Sequence, residues 1–155
     1  MKQLNNETMK LLIAGKLGWL YDEILAAPRK FGVEKRVKFL GYVDDRQLAG
    51  LYHQALFFIL PSLCEGFGLP VLEAMAYGCP IIAARAGALP EIVGQAGLLV
   101  NPKNTDEIAA AMKLMIENQD LREALREKGF QRVKQFSWQK AAQKTVKIFK
   151  EVYES

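Results

Sequence analysis

The chain has 155 residues, 50% of them hydrophobic and 25% charged, which is the balance of one soluble globular domain with a real core. Its net charge of +4 suits anionic small molecules or a membrane surface and calls for no nucleic acid. No apolar run is long enough for a spanning helix, and the polar start from Met1 to Met9 lacks the apolar core of a secretory signal.

Short apolar runs alternate with helical stretches along the first two thirds. Lys10 to Gly15 reads as a buried strand ending in glycine. Asp22 to Phe31 reads as a helix that Pro28 should kink or end. Val37 to Gly41 is a second strand. Asp44 to Ala55 is a helix with Asp44 or Asp45 as its cap and Leu48, Leu51 and Tyr52 on one face. Leu56 to Leu60 is a third strand, stopped by Pro61. Leu69 to Tyr77 is a helix closed by Gly78. Pro80 to Ala84 is a fourth strand, Leu89 to Val93 a short helical piece, and Gly97 to Val100 a fifth strand.

Three helices follow with no strand between them. Thr105 is the expected cap of the first, Asp120 to Gln135 forms the second with an interruption near Gly129, and Ser137 caps the third, which runs to about Tyr153. In that last helix Trp138, Ala142, Thr145, Phe149 and Val152 recur at helical spacing, with Lys140, Lys144 and Lys147 on other faces. The alternation predicts an α/β fold: a Rossmann-like parallel sheet of about five strands flanked by helices, with right-handed crossovers and a helical C-terminal third. The strand from Leu11 is expected to be central. Ligands of such sheets bind beyond the carboxyl ends of the strands. Three loops that follow strands carry unusual residues there: Lys16 to Trp19, Gly41 to Asp44 and Ser62 to Glu65.

The segment from Glu65 to Glu73 reads Glu-Gly-Phe-Gly-Leu-Pro-Val-Leu-Glu and carries the most chemistry. Pro70 marks the first positions of a helix. Gly66 and Gly68 let the backbone approach a ligand. A helix N-terminus offers free N–H groups and partial positive charge, which suits a phosphate. Two carboxylates beside an anion site need another partner, and vicinal hydroxyls supply one, since an ionised carboxylate only accepts hydrogen bonds. Phosphate plus hydroxyls describes a sugar nucleotide.

The ordered set Pro61-Ser62, Glu65 to Pro80, Gly87 to Gly94 and Gly97 to Pro102 resembles the group 1 glycosyltransferases. These form a large retaining family with the GT-B architecture of two facing Rossmann-like domains. Val37 to Val43 and Phe136-Ser-Trp138 fit the same family, so the resemblance spans roughly residues 10 to 153. It implies that Glu73 binds the ribose hydroxyls, that Glu65 faces the donor sugar near the reacting centre, and that backbone N–H groups around Gly66, Phe67, Gly68 and Leu69 hold the diphosphate. Tyr42 and Val43 would border the base. Relatives usually carry an earlier strand and helix with an Arg and a Lys on the diphosphate, and an N-terminal acceptor domain. The chain therefore reads as a single donor-side domain, cut short at its front, that would meet its acceptor through the missing domain.

The resemblance also implies front-face displacement with an oxocarbenium-like transition state, in which the leaving diphosphate can take the acceptor proton. A preorganised helix terminus neutralises the charge that builds on that diphosphate. No Asp-x-Asp pair is present, so neither metal nor cofactor is expected, the nucleotide-sugar being a co-substrate. A stand-alone nucleotide or sugar-binding module without turnover is the alternative function.

Plainer readings stand beside these. Glu73 can be a solvated carboxylate favoured by the helix dipole, Glu65 a surface charge, and the glycines the needs of a tight turn. Cys64 and Cys79 read as small buried residues and His53 as a surface residue. With no metal-ligand spacing, a reducing cytoplasm is the expected compartment. Trp19 fits a core or a rim. The cluster Arg122, Arg126, Lys128, Arg132 and Lys134 reads as a solvated face, with peripheral contact at the inner membrane surface as its functional counterpart.

Overall fold

A computed structural model describes residues 9–19 and 21–154; the polar start up to residue 8 lies outside the described residues. Five strands form. β1 (Leu11–Ala14) pairs with β2 (Val37–Gly41), while β3 (Phe58–Leu60), β4 (Ile81–Ala84) and β5 (Gly97–Val100) make a second sheet in the order β3-β4-β5. Every ladder is parallel, as the alternation of strands and helices requires. The division into two sheets differs from the single sheet expected. β1 is also not a buried central strand, for Leu12 and Ile13 are exposed. A strand is buried when both edges are paired and both faces covered. Among the described residues β1 has one strand neighbour, and helix α1 (Asp22–Lys30) buries none of its own side chains. Pro28 lies inside that helix, close enough to its end that the helix runs on to Lys30.

β4 organises the core. Its side chains alternate between faces, as strand geometry dictates. Ile81 and Ala83 join a cluster with α3 (Leu69–Ala76) and α4 (Leu89–Val93), through Val71, Ala74, Met75, Leu89 and Val93. Ile82 points the other way, into a cluster with Met112 and Met115 of α5 (Thr105–Glu117) and Leu125 of α6 (Gln119–Val133). Both faces of the three-stranded sheet are thus covered, the doubly wound arrangement. α2 (Asp45–Gln54) brings Leu48 and Tyr52 into the first cluster, where the Tyr52 ring meets Phe58 edge-on at 5.3 Å and Tyr77 in a stack at 6.2 Å.

The helix starts follow their caps. Asp44 makes a capping box with Gln47, its carboxylate accepting the Gln47 N–H at 2.8 Å. The cap of α5 is Asn104, not Thr105. Its extended backbone lets the amide oxygen accept the Asp106 and Glu107 N–H groups, both at 3.1 Å, which leaves Thr105 as the first helical residue. α6 starts at Gln119, capped by Asn118, and runs unbroken through Gly129. That glycine is where α6 approaches α3: a Cβ there would lie 3.4 Å from Cγ of Met75. α7 (Trp138–Tyr153) is capped by Ser137 as expected, but none of its residues is buried; Trp138, Phe149 and Val152 are exposed.

The basic cluster of α6 is not simply a solvated face. Three of its arginines reach across to carbonyls at the ends of three other helices. Arg122 donates to the Met115 and Ile116 carbonyls of α5 at 2.6 and 3.1 Å. Arg126 donates to the Gly78 carbonyl just past α3 at 3.0 Å. Arg132 donates to the Ile92 carbonyl of α4 at 2.9 Å and also to that of Glu91. The last carbonyls of a helix lack partners within it and carry partial negative charge, so a guanidinium there satisfies both needs.

Candidate functional site

The loop between β3 and α3, together with α3 itself, holds most of the predicted site residues. Gly68 is the N-cap of α3, buried, with φ of 98°, a left-handed conformation that glycine adopts without strain. A Cβ at Gly68 would come within 2.7 Å of the Leu89 side chain, so the position is restricted by space as well as by backbone angle. Gly68 brings no side-chain cap to the first amides of α3, and Pro70 occupies a position where a missing N–H costs little. The opposite side of α3 buries Val71, Ala74 and Met75 in the core. That packing fixes the helix rotation and leaves Glu73 exposed.

Glu73 lies near the Tyr52 phenol. Burial pushes that phenol up to about 12, and the Glu73 carboxylate, then Cys79, adds to the rise. Glu65 is half-buried, and its backbone is held from the β4–α4 loop. The Ala88 N–H donates to the Glu65 carbonyl at 3.3 Å. Gly87, with φ of 57°, fits so tightly that a Cβ would lie 2.9 Å from the Glu65 carbonyl oxygen. A carbonyl on a rigid backbone cannot retreat as a flexible side chain does, which explains a glycine at this position. Gly66 faces open space, and Phe67 and Leu69 are partly exposed.

Tyr42 and Val43 follow β2, in the sheet that β1 and β2 make. Tyr42 is exposed, and the ammonium of Lys16, from the loop after β1, lies 5.4 Å from its ring centroid. Glu65 through Gly68 lie in the loop that leads into α3, and Leu69 and Glu73 lie in α3 itself, whereas Tyr42 and Val43 lie in the loop after β2. Trp19, in the same region as Lys16, is 97% exposed, which assigns it to the surface rather than the core. His53 is exposed, as expected. Sequence reasoning missed Gly87 and Leu89 as supports of the loop, although both lie in the Gly87 to Gly94 motif. It also missed Tyr52 beside Glu73, and Arg132, which no local pattern marks.

The cysteines divide. Cys79 is buried, but Cys64, expected to be buried, is exposed in the loop after β3, where no second layer covers it. Burial pushes the Cys79 thiol up to about 12, against smaller opposing effects of Arg126 and a backbone hydrogen bond. A thiol is a poor nucleophile until ionised. At pH 8 one equivalent of a thiol reagent should therefore react with the folded protein, at Cys64, and a second only on denaturation. Two fast equivalents, or modification of Cys79 first in a mapped digest, would contradict this placement. Among the described residues no group of three or more His, Cys, Asp and Glu side chains is gathered as a metal ion would need. No helix among them is long and apolar enough to cross a membrane.

A parallel sheet covered by helices on both faces, with a helix opened by a left-handed glycine after β3, defines an α/β domain of the Rossmann-like kind. The chain belongs to the group 1 glycosyltransferases: residues 1–132 match the family described as "Glycosyl transferases group 1". It is 37% identical over 140 residues to the O-antigen chain mannosyltransferase B of Escherichia coli, covering 90% of this chain and 37% of that protein. Sucrose-phosphate synthase from Thermosynechococcus elongatus shares the fold with a TM-score of 0.83 and 28% identity, over 94% of this chain and 39% of that one. Anabaena Alr3699/HepE, solved in complex with UDP-glucose, aligns with a TM-score of 0.84 and 25% identity, over 94% of this chain and 42% of that one. The fold is accordingly the Rossmann-like C-terminal half of a GT-B architecture. The chain spans about two fifths of the length of these relatives.

Proposed function

We propose that this chain is the donor-binding part of a retaining glycosyltransferase that moves a sugar from a nucleoside diphosphate to an acceptor hydroxyl. One observation carries the reading: Glu65 and Glu73 flank a left-handed Gly68 that opens α3 without a side-chain cap. The start of α3 would take the diphosphate, as helix N-termini take anions. Glu73, exposed beside that start, would accept the ribose hydroxyls, and Glu65, held by Ala88 and Gly87, would face the sugar. Tyr42 and Val43 would border the base. The bound UDP-glucose of the Anabaena relative and the mannosyl transfer named for the E. coli relative support a nucleotide-sugar partner.

In this reading the reaction breaks the bond between the anomeric carbon and the diphosphate oxygen and joins that carbon to the acceptor oxygen on the same face. The departing diphosphate receives the acceptor proton. No metal is needed, because helix amides and basic groups stabilise the leaving charge. The acceptor would bind to a second domain, and the protein would work in the cytoplasm, with peripheral contact at the membrane through basic surface.

Calorimetry with UDP and GDP tests the donor site. The chain should bind one of them weakly, and Glu73→Ala should weaken that binding by about 1.5–3 kcal/mol, the worth of hydrogen bonds to a charged group. Equal affinity in the variant would return Glu73 to the role of a solvated helix-start carboxylate.

A further inference from the structure

We propose that Phe136 is a positioning residue for the loop from Glu65 to Leu69, held in place by Arg132. Phe67 sits between Gly66 and Gly68, a stretch with little conformational restraint of its own. Its ring is not left free. It meets the ring of Phe136 edge-on, with centroids 6.1 Å apart and planes at 88°, a favoured aromatic geometry. Phe136 itself is packed on the core cluster of α3 and α4. Its backbone N–H donates to the Val133 carbonyl at 2.9 Å, which fixes the turn leaving α6. The Arg132 guanidinium lies 5.0 Å from the Phe136 ring centroid.

Arg132 also holds the far end of α4 through the Glu91 and Ile92 carbonyls. The near end of α4 holds the same loop, through Ala88 on the Glu65 carbonyl and Leu89 against Gly68. The loop is thus gripped from two sides, and both grips lead back to one arginine on α6. A ligand that binds through backbone amides needs those amides fixed before it arrives, since ordering them on binding reduces affinity. The inference rests on the reading of this loop as the diphosphate site, but its first consequence, loop order, does not depend on any ligand.

The test uses the full chain with three single variants, Phe67→Ala, Phe136→Ala and Phe136→Tyr, the double alanine variant, and Leu125→Ala as a control destabilised away from the loop. Backbone relaxation should give the amides of Gly66 to Leu69 order parameters near ~0.85 in the parent, falling below ~0.6 in Phe136→Ala. Phe136→Tyr should restore them, and Leu125→Ala should leave them unchanged while lowering the melting temperature. With UDP or GDP as probe, each alanine variant should bind roughly two- to tenfold more weakly, the range for an aromatic pair. The double variant should be no weaker than the weaker single one. Unchanged order parameters in Phe136→Ala, the same loss in Leu125→Ala, or additive losses of affinity would overturn the proposal. Absence of nucleotide binding in the parent protein would instead count against the donor-site reading, with the relaxation data still deciding the role of Phe136.

Discussion

Transfer by the 155-residue chain alone is expected to be unmeasurable. In the proposed reaction the acceptor must be held against the anomeric carbon, and water must be kept out, by groups on a facing domain. The E. coli relative is long enough to carry one, since this chain covers only 37% of it. Positioning of two reactants supplies roughly 7–11 kcal/mol of barrier reduction in favourable cases, or more than five powers of ten in rate. Joined to the acceptor-side region of a relative, together with the strand and helix that usually precede it, the same residues should transfer sugar. That activity should persist in excess chelator. Discharge of a labelled nucleotide-sugar to acceptor, followed by chromatography, reads both results. Robust transfer by the chain alone, or abolition of the restored activity by chelation, would show that the site is built differently.

The second large effect concerns stability, and it is expected to be uneven along the chain. Ile82 is fully buried between β4 and the α5–α6 layer. Ile82→Ala should cost about 2–5 kcal/mol, from lost transfer free energy and the cavity left behind. Ile13, on β1, is 36% exposed, and its sheet has a single ladder. Ile13→Ala should cost less, about 1–2 kcal/mol, since a third of the residue is already in water and its partly open site leaves no closed cavity. Urea titrations followed by circular dichroism compare the two directly. Equal losses would mean that β1 is buried in solution by something beyond the described contacts. Burial shows the same asymmetry: among the described residues before Tyr52, Val33 alone is buried.

The sequence made some of this legible and hid the rest for physical reasons. Strand and helix positions from β2 to β5 were readable because apolar runs and breakers such as Pro61 and Gly78 are local signals. The same locality made the left-handed glycine turn and the start of α3 readable, since one loop and one helix start carry them. Sheet pairing is not local. The run from Leu11 to Ala14 has the composition of a buried strand, and nothing within it says how many neighbours it will find. Capping by Asn104 instead of Thr105 turned on one residue's backbone angles, which two adjacent cap-forming residues leave open. The arginines of α6 show the limit most plainly. Arg126 and Gly78 are 48 positions apart, and a charge pattern along one helix carries no address for a carbonyl on another. The support of Phe67 by Phe136 is hidden in the same way.

The three arginines also bear on the order in which the protein is made. α3, α4 and α5 leave the ribosome before α6, and each has carbonyls at or just past its end that an arginine of α6 supplies with a guanidinium. At about 5–20 residues per second of synthesis, the 48 positions from Gly78 to Arg126 take roughly 2–10 s. Helix formation and collapse are far faster than that. The nascent chain therefore has time to gather β3, α3, β4 and α4 while their helix ends are still satisfied by water. Arrival of α6 replaces that water at three points on one rod, so the loop that Arg132 grips gains this support only after α6 has been made.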